Sequence, residues 1–262
     1  MGLLRKGICI LHFDEQYSTQ RDLLQAPHED LDFRNINHVN LYCEETSLRQ
    51  IAKGLEKRSQ KGITFIGSGN YHYVSFLLLK ELIKPFTLVL FDNHPDLGTK
   101  QHQDEALLSC GSWVSYALKE LPLLQQVVII GPTNTMKHNP TDPRVVIFRF
   151  DDRHQYSIKS ILSTIHTQNV YISIDKDVLN PTEVTTNWDQ GRMSLKTLTH
   201  YLQPIFKQKQ VEGIDICGEA QISPVNAVLP DYQKMTLKNE QANLIILQTC
   251  LDAGYQQTQG AS

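Results

Sequence analysis

The stretch Phe86–Gly98 reads Phe-Thr-Leu-Val-Leu-Phe-Asp-Asn-His-Pro-Asp-Leu-Gly. Its first six residues are apolar except Thr87, and the run reads as a strand buried on both faces. It ends abruptly in Asp92, His94 and Asp96. Alternate residues of an extended chain point to one side, so these three side chains converge just past the strand's carboxyl end. Open α/β sheets bind ligands in that crevice. Two carboxylates and an imidazole crowded together repel and desolvate one another unless a cation compensates them, which points to metal ligation. Asp, Asn, Pro and Gly are also ordinary turn residues, so the triplet alone leaves a plain strand-end turn open.

Two more strand ends carry similar groups. Gly62–Gly67 reads as a short strand, and the turn after it contains His72. Val170–Ile174 reads as a strand, followed by Asp175 and Asp177 at the same two-residue spacing. Parallel strands deliver their carboxyl ends to one edge. Four Asp and two His can then meet, and four carboxylates call for two divalent ions. A donor set of carboxylates with a minority of imidazole suits Mn²⁺ more than Zn²⁺. Two such ions activate water at neutral pH.

The remaining chain alternates strands and helices. Strands are expected at Gly7–Phe13, Gln126–Gly131, Val145–Phe150 and Val211–Ile216. Helices are expected at Ser47–Gln60, Tyr73–Ile83, Gln103–Leu121 (broken near Gly111), Ser157–His166, Ser194–Lys207 and Leu237–Ala253, with Gln256–Ser262 frayed. Ser47 and Ser194 are the expected caps of their helices. Asp14–Tyr42 reads as a long irregular excursion. The pattern predicts a three-layer α/β sandwich with a central, mostly parallel sheet of about eight strands, forming a single domain over residues 1–262.

Composition excludes several classes. Hydrophobic residues at 40% and charged residues at 20% of 262 fit a globular core, and a net charge of −3 gives nothing to attract nucleic acid. There is no apolar run near the length of a membrane span. The apolar Gly7–Leu11 segment is too short for a signal peptide and is followed at once by His12, Phe13, Asp14 and Glu15. Five scattered cysteines without a Cys-x-x-Cys predict reduced thiols in a cytoplasmic protein and no zinc-thiolate centre.

The order Gly-x-Gly-x-x-His (Gly67–His72), Asp-x-His-x-Asp (Asp92–Asp96) and Ser-x-Asp-x-Asp (Ser173–Asp177) resembles the arginase/agmatinase superfamily of ureohydrolases. The likeness runs over roughly Gly62–Pro224 and fills all six metal positions. It implies two Mn²⁺ per subunit: His72 and Asp96 on one ion, His94 and Asp177 on the other, Asp92 and Asp175 bridging. It also implies Asp96 as the proton carrier, Glu219 as the carboxylate that accepts a guanidinium, and trimers or hexamers as the homo-oligomer.

Three departures stand out. Tyr71 occupies the place of a supporting Asp. Ser109–Trp113 holds no proton-shuttling His. The loop Glu183–Gly191 differs from the arginase loop that holds a free amino acid, and it offers Trp188 as a substrate-binding residue. The chain is therefore similar to the divergent branch that includes peptide arginases. That implies an arginine-containing peptide, or a small guanidino compound, reaching the site through a mouth widened by Asp14–Tyr42. Competing readings are a formiminoglutamase-like hydrolysis of an amidine or amide, and a non-catalytic binding protein braced by metals. A metallophosphoesterase is disfavoured because its Gly-Asp-x-x-Asp element is missing, and His72 breaks the nucleotide-binding glycine fingerprint.

Overall fold

The computed structural model describes residues 6–98, 108–133, 141–151, 153–154, 156–223 and 225–259. Its eight strands are β1 (Ile8–His12), β2 (Glu29–Asp32), β3 (Ile63–Gly67), β4 (Phe86–Phe91), β5 (Leu124–Ile130), β6 (Val145–Phe148), β7 (Asn169–Asp175) and β8 (Gln210–Cys217). They form one sheet in the order β2-β1-β3-β8-β7-β4-β5-β6, and every pairing is parallel.

The helices are α1 (Glu45–Leu55), α2 (Val74–Leu79), α3 (Trp113–Glu120), α4 (Ile158–Thr164), α5 (Leu195–Gln208) and α6 (Pro230–Gln259). They lie over both faces, as the crossovers of a parallel sheet require. Two hydrophobic clusters record this. Val89 and Phe91 of β4 pack into one with Ile172 and Leu202, while Leu88 and Leu90 pack into the other with Phe76 and Trp113. Strand β4 is thus buried on both sides, as its unbroken apolar run requires.

Several sequence expectations shift. The excursion Asp14–Tyr42 contains β2, an edge strand paired with β1 in the register Cys9↔Glu29 to His12↔Asp32. Its sequence, Glu-Asp-Leu-Asp, carries only one apolar side chain because it lies at the sheet edge, where acidic residues also discourage further pairing. Ser47 does not cap α1: the helix begins at Glu45, and the Ser47 hydroxyl donates to the Asn37 carbonyl at 2.7 Å. Ser157 and Ser194 do cap α4 and α5, accepting from the Ser160 and Thr197 amides at 3.2 and 3.1 Å. Helices α1 and α2 stop short of Gln60 and Ile83. The expected helix from Gln103 begins outside the described residues, and its described part is α3.

The last helix is longer than its apolar periodicity suggested. Pro230 fits a first helical turn, where its missing N–H costs nothing. The polar segment after it carries the helix forward to Gln259, so only residues 260–262 of the expected frayed end lie outside the described chain. Among the described residues, no helix is long and apolar enough to cross a membrane.

The close approach of β5 to the end of β4 depends on Gly131, whose φ is +137°. A Cβ there would lie 2.4 Å from both the Asp92 carbonyl oxygen and Val178 Cγ2. Gly131→Ala is expected to lower stability by about 3 kcal/mol through backbone strain and overpacking, read as a lowered urea midpoint with unchanged slope.

Candidate metal centre and its surroundings

The register sets the site. Phe91 of β4 lies beside Ile174 of β7, so Asp92 and Asp175 leave the sheet side by side. On the other flank Asp175 pairs with Cys217 of β8, and Cys217 pairs with Gly67 of β3. After Gly67 the chain makes a single 3₁₀ turn over Gly69–Tyr71, with Ser68 accepting from the Asn70 amide at 3.3 Å, and this delivers His72. The four central strands therefore present His72, Cys217, Asp175 and Asp92 across one edge.

All six expected ligands are brought together. His72 Nδ1 lies 3.2 Å from Asp96 Oδ2, 3.3 Å from Asp92 Oδ2 and 3.6 Å from Asp175 Oδ2. His94 Nδ1 lies 2.7 Å from Asp177 Oδ2 and 3.8 Å from Asp92 Oδ1. Two donor triads able to hold a cation share one carboxylate: His72, Asp92 and Asp96, and Asp92, His94 and Asp177. A third grouping, His72, Asp175 and Cys217, adjoins the first. Backbone amides hold the carboxylates in place. The amides of His94, Asp177 and Asn93 donate to Asp92 Oδ1 at 2.6 Å, Asp175 Oδ1 at 2.9 Å and Asp177 Oδ1 at 3.0 Å. Asp96 sits in the left-handed region at φ +50°, which Asp tolerates, and its Oδ2 accepts from Trp113 Nε1 at 2.7 Å.

These residues fit a pair of cations. Asp92 Oδ2 is buried without a hydrogen-bond partner, which a bound cation would remedy. The His72 tautomer fits too. Ser173 Oγ donates to Asp215 Oδ1 at 2.6 Å and so accepts from His72 Nε2 at 2.9 Å, leaving the Nδ1 lone pair facing three carboxylates. Without a cation, protons substitute. Burial and the charges of Asp177 and Asp96 raise the Asp92 carboxyl well above its usual range. Burial, with the charge of Asp177, lifts Asp175 to about 6. Burial opposes protonation of His94, but the hydrogen bond and charge of Asp177 outweigh it and raise the imidazole to about 10. His72 is likewise raised well above the usual histidine value: burial opposes this, while Cys217 and hydrogen bonds to Asp92 and Asp96 prevail.

The centre opens into a cavity of about 170 Å³, whose walls include Gly69, Pro95, Cys110, Gly111 and Trp188. Trp188 is held edge-on to His94, with ring centroids 5.9 Å apart, and its Nε1 donates to Asn70 Oδ1 at 2.9 Å. Asn70 Nδ2 in turn donates to Asn40 Oδ1 at 2.9 Å. Cys110 and Gly111 stand where a shuttling His was missed in the sequence. The excursion is packed rather than splayed: Asn40 braces this chain of contacts, and Tyr17 OH accepts from the Gly67 amide at 2.9 Å.

Glu219 is placed differently from its expected role. It does not line the cavity. Its buried carboxylate is ion-paired with Lys176 and accepts from Gln20 Nε2 at 3.0 Å, Asn239 Nδ2 at 3.1 Å and Asn243 Nδ2 at 2.7 Å. Lys176, between Asp175 and Asp177, is wholly buried and also donates to Asn243 Oδ1 at 2.8 Å. An internal ammonium thus takes the carboxylate that a substrate guanidinium was expected to use. Sequence reasoning missed Lys176, Trp113 and Cys217. Only Ser173 was marked, by its place two residues before Asp175.

The Arginase family model matches residues 4–220, and the chain belongs to that family. It is 33% identical over 245 residues to an uncharacterized protein of Thermotoga maritima, covering 92% of this chain and 88% of the relative. It is 25% identical over 228 residues to an agmatinase of Bacillus subtilis, covering 80% and 73%. Its fold is shared with the formimidoylglutamase of Bacillus subtilis, at a TM-score of 0.66 and 15% identity over 94% of this chain and 86% of that one. The protein is an arginase-family ureohydrolase by descent and by fold.

Two predictions arise from the site. Because burial and neighbouring charges raise the proton affinity of Asp92, His72 and His94 in the metal-free centre, divalent cations must compete with protons there. Titration calorimetry near pH 7 in buffers of different ionisation enthalpy is expected to show proton release, with affinity falling as pH is lowered and falling more steeply below about 6 as Asp175 also protonates. Ser173→Ala, which frees the His72 ring, is expected to weaken metal affinity roughly 10–100-fold in the same titration.

Proposed function

We propose that this chain is a binuclear manganese hydrolase that cleaves a guanidino group to an amine plus urea, with arginine inside a peptide as the substrate and ornithine as the product. The observation that carries this reading is the pair of donor triads sharing Asp92. His72 and Asp96 would hold one ion and His94 and Asp177 the other, with Asp92 and Asp175 between them. The oxygen-rich donor set favours Mn²⁺. When bound, such a pair of ions provides an activated water and offsets the four carboxylates.

The chain's own residues do the rest. A guanidinium carbon is a poor electrophile, and the leaving amine must take up a proton. Asp96 lines the cavity with Oδ2 engaged by Trp113, and its other oxygen is the candidate carrier of that proton. The indole of Trp188 gives a face for a planar cation. The cavity is smaller than the roughly 300–1,000 Å³ of ordinary small-molecule sites. It receives the head of a side chain and leaves the rest of the substrate outside, which supports a guanidine carried on a longer molecule.

One observation favours a second reading. Glu219 is committed to Lys176, so the site lacks the carboxylate clamp expected for a guanidinium. A formimidoyl group, a smaller amidinium with fewer N–H donors than a guanidinium, places less demand on such a clamp.

The test is a panel assay on the manganese-loaded protein. Arginine peptides, free arginine, agmatine and formimidoylglutamate are each followed by urea, formamide and substrate mass. Urea from the peptide, with loss of activity in Asp92→Asn, is the expected result. Formamide from formimidoylglutamate would favour the second reading, and metal-dependent stability without turnover of any compound would favour a metal-braced binding protein.

A further inference from the structure

The amino ends of the strands, at the edge of the sheet opposite the metal centre, border a second cavity of about 440 Å³. That volume lies within the range of small-molecule sites. Its charged lining comes from separate segments: Lys6 ahead of β1, Arg58 and Lys61 ahead of β3, Lys84 ahead of β4, Glu81 after α2, and Glu212 on β8. Each carboxylate is shared by two cations. Glu81 Oε2 lies 3.2 Å from Arg58 Nη2 and 3.0 Å from Lys61 Nζ. Glu212 Oε2 lies 3.2 Å from Lys6 Nζ, and its Oε1 lies 3.8 Å from Lys84 Nζ. Two positive charges are left over, in a chain whose net charge is −3.

The second observation concerns Arg58. Its side chain is only 3% exposed, with Nη1 donating to Thr64 Oγ1 at 2.9 Å and Nη2 to Glu81. Its Nε is buried and has no acceptor among the described residues. The guanidinium charge is offset by Glu81, which Lys61 shares, so an acid group in the cavity would be attracted to it. Lys61 and Lys84 are half-exposed at the rim, each with spare donors and a long flexible stem able to turn inward.

We propose that this cavity is a binding site for a small dianion, a dicarboxylate or a phosphate, with the buried Arg58 guanidinium charge behind its wall and Lys61 and Lys84 closing over it. The site stands apart from the metal chemistry and does not rest on the substrate assigned to that centre.

The test uses the full chain. Inorganic phosphate and succinate are titrated separately by calorimetry, with sodium chloride holding ionic strength constant, and Tm is followed in parallel. Saturable one-to-one binding of either anion, with Tm rising as the anion is added, is the expected result, and which one binds identifies the acid group. The double variant Lys61→Ala, Lys84→Ala removes two rim charges without touching the core and is expected to weaken binding by about tenfold or more. Asp92→Asn, at the opposite edge, is expected to leave it unchanged. Binding no stronger than that of chloride would overturn the proposal. So would binding that survives the double variant, or that disappears in Asp92→Asn, which would mean the anion sits on the metal centre.

Discussion

Four carboxylates that repel one another are held at the edge of a single sheet, and the local structure is arranged to keep them there. Asp92, Asp96, Asp175 and Asp177 are all buried. Buried like charges neutralise themselves with protons when no cation is at hand, which is why Asp92 and both imidazoles have raised proton affinities. The sheet resists their separation through backbone amides aimed at Asp92, Asp175 and Asp177 and through the Trp113 indole aimed at Asp96. Apolar packing on both faces of β4 and β7 supplies the stability that this concentration of charge consumes.

The clustered acids and imidazoles were legible because their signal is local. A continuous apolar run fixes a buried strand, and a two-residue spacing fixes which side the polar groups face. That reasoning needs no knowledge of which strands are neighbours, and it picked out Asp92, His94, Asp96, Asp175 and Asp177 as candidates, while His72 came from its place in the turn after a strand and from the family resemblance. Residues that act through tertiary contact were not legible. Trp113 reaches Asp96 across 17 positions of chain, and Lys176 reaches Glu219 across 43. Strand β2 escaped notice because an edge strand of Glu-Asp-Leu-Asp lacks the apolar content that marks interior strands. The polar first turns of α6 escaped for a related reason: their helical state is set by Pro230 and by the rest of the helix, not by an apolar stripe.

The network around Glu219 ties together parts of the chain that are distant in sequence. Gln20 comes from the amino-terminal excursion, Lys176 from the end of β7, and Asn239 and Asn243 from α6. A buried ion pair is weak evidence of net stabilisation, but removing one partner leaves a bare charge and costs about 3–5 kcal/mol. Here the pair fixes Lys176 between Asp175 and Asp177. A family member that frees this carboxylate for its substrate would need another group to hold that segment, so recognition and support of the centre are exchanged for each other at one position.

Strand β8, the last in chain order, lies between β3 and β7, which bear His72 and the Asp175–Asp177 pair. Until it inserts, β2-β1-β3 and β7-β4-β5-β6 have no shared hydrogen-bonded border. During synthesis, the half-built chain therefore lacks the complete cluster: one imidazole waits on a separate fragment from the acids it will face. Such late zippering raises contact order and slows folding, and it keeps the imidazole and the carboxylates apart until the polypeptide has committed to its final topology.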